Sequence, residues 1–147
     1  MIAERTAETT WQGTLAGGSG TVTTSSSGAL DGQVVSWAAR TEQPDGKTSP
    51  EELAAAAHSS CFSMALALRL GERKTPPQQL RVTAAVTLDD VEGVPTVASS
   101  ALRVTGRVAG IDSAGFQAAV DEAAKLCPIS RLFAGAKITA TATLESE

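Results

Sequence analysis

The chain has a single histidine, two cysteines and no cluster of lysine and arginine. Each scarcity excludes something. With one histidine and no Cys-x-x-Cys pair, a structural zinc site would have to borrow carboxylates to reach four ligands, so no metal is expected. Two cysteines cannot build the multi-bridge framework of a small secreted protein. They remain either inert buried thiols or a redox or catalytic pair. Net charge is -4 without a basic patch, which argues against a nucleic-acid or anionic-membrane partner. The opening "MIAERTAETTWQG" is polar and has no apolar core of the signal-peptide kind. The most apolar segment is interrupted by His58, Ser59, Ser60 and Arg69, so no membrane-spanning helix is expected. A soluble, cytoplasmic protein follows from these exclusions.

What is present is ordinary globular material. The 147 residues are 42% hydrophobic and 19% charged, enough for one domain over 1–147 with a true core. Threonine-rich segments at Thr9–Leu15 and Gly20–Ser25 flank "AGGSG", a hairpin signal. "QVVSWAAR", Gln33–Arg40, reads as a third strand. Pro44, Asp45 and Gly46 then supply turn chemistry. Alternation of Leu80, Val82, Ala84, Val86 and Leu88 marks a half-buried strand, and Leu102, Val104, Gly106 and Val108 mark another over Ala101–Ala109. Glu92 and Gly93 form the turn between them. Asp112 caps a second helix whose Phe116, Ala119, Val120, Ala123 and Cys127 share one face. Pro128 breaks it, "PISRLF" forms a further turn or short helix, and Lys137–Glu145 is a last strand. The order predicts an α+β fold, a mainly antiparallel sheet with its helices on one side.

The central segment, "SPEELAAAAHSSCFSMALALRL" from Ser49 to Leu70, predicts a long helix ending near Gly71–Lys74, before Pro76. Ser49 caps it, Pro50 takes the first helical position, and Glu52 completes a capping box. Its apolar residues spread round the whole circumference. Such a helix wants burial on every side. A single sheet covers one side, so a second subunit is expected on the other.

The two thiols admit more than one reading. Free cysteines are commonly small buried hydrophobes without chemistry. A non-catalytic dimeric stress or ligand-binding protein would then result. His58 lies three residues before Cys61, so the two can be neighbours, which leaves a cysteine hydrolase open. Cys61 is too far into its helix for the N-terminal dipole to activate it, and Arg69 is about 12 Å further along the axis. A reactive Cys61 needs a cation from elsewhere in the fold.

"SPEELAAAAHSSCFSMALAL" followed by "CPISRLF" resembles the OsmC/Ohr family of thiol-dependent hydroperoxide peroxidases, the OsmC branch above all. The likeness extends over the whole order of elements. It implies an OsmC-like fold, an intertwined homodimer with a buried central cysteine helix, and reduction of organic hydroperoxides or hydrogen peroxide. Cys61 would be the attacking thiol and Cys127 the resolving one. Arg40 would be the active-site arginine and Glu51 the carboxylate that holds it. No bound cofactor is implied. The oxidised pair would be reduced by an external dithiol, a dihydrolipoyl protein by the same resemblance. Glu51 and Cys61 lie about 15 Å apart on one straight helix. That separation suggests sites assembled in trans, with Arg40 and Glu51 of one chain serving Cys61 and Cys127 of its partner.

Overall fold

A computed structural model describes residues 1–145, which fall into two compact units, Met1–Leu53 and Ala54 onward. In the first unit, β1 (Ala7–Gln12), β2 (Ser19–Ser25) and β3 (Val34–Val35) form an antiparallel sheet in that order. Trp11 faces Gly20 in the register, and a Cβ on Gly20 would lie 2.9 Å from Val35 and 3.0 Å from the Trp11 ring. The hairpin therefore stands where the threonine-rich segments and glycines placed it.

The third strand does not. Only Val34 and Val35 pair, with Thr21 and Gly20. Ser36 then accepts a bond from the Ala39 N–H at 3.1 Å and caps a short helix, α1 (Trp37–Thr41). The strand reading of "QVVSWAAR" passed over a serine cap followed by helix formers, and the local hydrogen bond prevailed. Arg40 consequently sits in the last turn of a helix rather than at a strand end. The Pro44-Asp45-Gly46 turn forms as expected, with Asp45 and Gly46 in the left-handed region and the Lys47 N–H donating to Pro44 O at 2.9 Å.

The long helix, α2 (Pro50–Glu72), begins at the expected cap: Ser49 Oγ accepts from the Glu52 N–H at 3.1 Å. By length and composition α2 is apolar enough to cross a membrane, which its interruptions had argued against; the alanine run and the leucines outweigh His58 and the serines. In the second unit its residues form one wall of a core. Phe62, Leu66 and Leu70 are fully buried there, each contributing roughly 1.5–3 kcal/mol by removal from water. Met64 and Leu68 remain exposed at 67% and 56%, so only one face of the helix is covered within the chain.

Two long strands follow, β4 (Gln79–Val91) and β5 (Val94–Arg107), joined through Glu92 and Gly93, both at positive φ. They run further than the sequence alternation suggested. A register shift at Thr87/Leu88 breaks the period of two, and the hairpin continues beyond it. The second helix is α3 (Ser113–Leu126), capped by Asp112 through the Gly115 N–H at 2.7 Å. A short α4 (Pro128–Leu132) comes next, then β6 (Lys137–Leu144). The sheet order is β4-β5-β6, antiparallel in the first pair and parallel in the second. Leu102 and Val104 of β5 meet Phe116, Ala119, Val120 and Ala123 of α3 and the buried face of α2, so both helices cover the same sheet face. Gly106 admits the closest approach: a Cβ there would stand 2.5 Å from Phe116 Cζ.

Candidate active site

The four residues singled out in the sequence fall into two pairs, one in each unit. In the first unit Arg40 and Glu51 form a two-point ion pair. Arg40 Nε donates to Glu51 Oε2 at 3.0 Å and Oε1 at 3.1 Å, and Nη2 donates to Oε1 at 2.7 Å. Glu51 is 11% exposed in its side chain and Arg40 29%. The guanidinium carbon also lies 5.9 Å from the Trp37 ring centroid, one helical turn earlier, in reach of a cation–π interaction. The helical conformation of residues 37–41 makes this stacking possible, since it places Trp37 and Arg40 on one side. Nη1 takes no part in the pair with Glu51, and such a fork is preorganised to offer it elsewhere.

In the second unit Cys61 and Cys127 are unbridged, and Cys61 packs against the buried cluster to which Cys127 belongs. Cys127 is fully buried at the junction of α3 and α4, where its N–H donates to Ala123 O at 2.8 Å. Cys61 is half-buried and opens onto an apolar groove of about 490 Å³ lined by Met64, Ala65, Leu68, Leu126 and Pro128, with Arg69 at its edge. Arg69 is engaged with Glu72 at 2.7 Å. Burial pushes the Cys61 thiol up from its ordinary value. The Ile129 backbone N–H, in the first turn of α4, is near enough to favour the thiolate and pulls the other way, while the neighbouring Cys127 raises it further. Within this unit, then, the thiol is held protonated near neutral pH. A nucleophilic thiolate requires additional positive charge.

His58 does not face Cys61 as a base. Its ring is completely buried, with Nδ1 2.6 Å from Ser100 Oγ and Nε2 2.7 Å from Ser130 Oγ. Both ring nitrogens are thus committed to hydroxyls, and burial lowers the pKa of the ring. This geometry removes the physical basis for a Cys61–His58 nucleophile–base pair.

The sequence offered no sign of the Ser100 and Ser130 contacts, because their partners lie 42 and 72 residues away. Nor did it show that Ile129 would pack in one cluster with Cys61. One cue existed for the latter: a proline directly after Cys127 is favoured at the first position of a helix, and first-turn N–H groups are free to meet another acceptor. Among the described residues no group of three or more His, Cys, Asp and Glu side chains is arranged to hold a metal ion.

Two unbridged cysteines packed in one cluster, one of them opening on an apolar groove, lie where helices cover one face of a mixed sheet in an α+β protein. The chain belongs to the OsmC-like protein family, whose model matches residues 43–142. It is 38% identical over 146 residues to Peroxiredoxin OsmC of Escherichia coli (strain K12), covering 99% of this chain and 100% of that one. Among solved structures, the organic hydroperoxide resistance protein OhrB of Bacillus subtilis superposes with a TM-score of 0.70 at 26% identity, over 95% of this chain and 98% of its own. An organic hydroperoxide resistance protein from Elizabethkingia anophelis gives 0.71 at 25% identity, with full coverage of both chains.

Proposed function

We propose that this protein is a peroxide-reducing oxidoreductase of the peroxiredoxin type, working through Cys61 and Cys127. The observation that carries the reading is the packing of two unbridged cysteines in one cluster, Cys61 opening on an apolar groove, in a chain 38% identical along its length to a peroxiredoxin. The Cys61 thiolate attacks one oxygen of the peroxide, the O–O bond breaks, and the departing oxygen takes a proton to leave as alcohol or water. Cys61 is left as a sulfenic acid. The Cys127 sulfur then attacks Cys61, water departs, and a disulfide forms. Two electrons and two protons from an external dithiol restore both thiols; family resemblance points to a dihydrolipoyl protein as donor.

Arg40 is the cation this scheme needs. A guanidinium beside Cys61 would favour the thiolate and stabilise the developing charge on the leaving oxygen. Glu51 would hold the fork in place. The apolar lining of the groove favours organic hydroperoxides, whose alkyl part would be removed from water on binding. The exposed Met64 and Leu68, on a helix whose other face is buried, support a homodimer in which a second copy covers that face. The family match runs from residue 43 to residue 142, across both units, and supports a single working domain over the whole chain.

Mass spectrometry after one equivalent of cumene hydroperoxide tests the reading. A Cys61–Cys127 disulfide is expected in the wild type. Cys61→Ser should abolish turnover, whereas Cys127→Ser should stop at the Cys61 sulfenic acid after one equivalent and over-oxidise to the sulfinic acid when a second equivalent is added. Thiols that stay reduced in the folded protein would favour the non-catalytic alternative.

A further inference from the structure

His58 is an expensive group to bury unless both ring nitrogens find partners. An apolar side chain would fill the same space, but would leave the Ser100 and Ser130 hydroxyls unpaired. The ring joins three elements: its own helix α2, β5 through Ser100, and α4 through Ser130. Phe133, just past α4, adds an edge contact at 5.3 Å between ring centres. α4 itself has five residues and no side-chain cap at its start. A helix so short cannot hold its own conformation or position. Its tertiary ties must do so, and Ser130 shares the first turn of α4 with Pro128, which lines the groove beside Cys61, and with Ile129, which packs in the same cluster as Cys61 and Cys127.

We propose that His58 is a positioning residue that clamps the first turn of α4, keeping Cys127 and the first-turn N–H groups of α4 packed beside the Cys61 sulfur. The inference rests on the reading of Cys61 as the reacting thiol. The geometry gives His58 a reason to stand one turn before that cysteine: the same stretch of α2 presents the sulfur on one side and the clamp on another. Ser100 fixes the ring from the sheet, and Ser130 transmits its position to α4. The two serines therefore differ in consequence. Each gives His58 one buried hydrogen bond, so each loss should cost similar stability. Only Ser130 joins the ring to the segment that touches Cys61.

The test is alkylation of Cys61 in the full chain by iodoacetamide across pH, read by mass spectrometry, with thermal unfolding alongside. Ser130→Ala should slow alkylation near neutral pH about tenfold, by shifting the thiol titration upward by about one pH unit. Ser100→Ala should lower the melting temperature comparably and slow alkylation at most about threefold. Two His58 variants decide the point independently, including the case where Ser130→Ala does not fold. His58→Gln sets an amide near the Nε2 position and should retain the wild-type profile, while His58→Asn reaches only the Nδ1 side and should behave as Ser130→Ala does. Equal alkylation by the two serine variants, or by the two His58 variants, would reduce the network to a stabilising contact. Because alkylation needs no peroxide, that failure is distinct from failure of the functional reading, which would show as a wild type unreactive toward cumene hydroperoxide.

Discussion

Removing Glu51 should disable Arg40 without unfolding the protein. In the folded chain the Arg40 fork is held by contacts of 2.7, 3.0 and 3.1 Å to a carboxylate that is 11% exposed. An exposed ion pair is worth about 0–1 kcal/mol, but this one is half-buried and has two-point geometry, so about 1–3 kcal/mol of coupling is reasonable. In Glu51→Ala the freed arginine regains roughly 2 kcal/mol of side-chain entropy. That entropy must be surrendered again when the guanidinium meets the leaving oxygen. A barrier raised by about 2 kcal/mol slows the first oxidation of Cys61 about 30-fold. Glu51→Gln keeps an acceptor but loses the charge, and should fall between Glu51→Ala and wild type. The assay is stopped-flow oxidation of Cys61 by cumene hydroperoxide, with denaturant unfolding to report integrity. A double-mutant cycle completes it: once Arg40 is alanine, further loss of Glu51 should change the rate little, because the carboxylate acts through the arginine. Additive losses, or a Glu51→Ala rate within threefold of wild type, would refute the reasoning.

Three further outcomes are expected. Gly106→Ala should destabilise the second unit by about 1–3 kcal/mol, since the new Cβ would meet Phe116 Cζ at 2.5 Å, and Phe116→Leu in the same chain should recover part of the loss in melting temperature. Burial lowers the pKa of His58 below its ordinary 6.5, so on acidification the unfolded chain binds a proton there before the folded one does. Stability should therefore decline as pH falls below about 6.5, by at most about 1.4 kcal/mol per pH unit, and His58→Gln should flatten that slope in denaturant titrations. If sites form in trans in a homodimer, mixing inactive Cys61→Ser and inactive Arg40→Ala chains should restore activity on subunit exchange, because one site of each mixed dimer is intact; exchange without recovery would place the four residues in one chain.

Much of the framework was legible because it depends on neighbours in the chain. Ser49, Pro50 and Asp112 announce helix starts through bonds made within one turn, and Glu92-Gly93 announces a hairpin through its left-handed backbone. Alternation placed Leu80, Val82, Leu102 and Val104 on the inner face correctly, because a strand's side chains must point to opposite sides. Where a cap went unread, the reading failed: residues 36–41 follow their serine cap into a helix instead of continuing the strand begun at Val34 and Val35. Resemblance named Cys61, Cys127, Arg40 and Glu51, but spacing alone could not have paired them. Contacts made across the fold were decided by tertiary structure only. The groove beside Cys61, the commitment of His58 to Ser100 and Ser130, and the packing of Ile129 in one cluster with Cys61 each join residues far apart in sequence. No local propensity encodes such a meeting; it arises when α2, β5 and α4 come together around a common core.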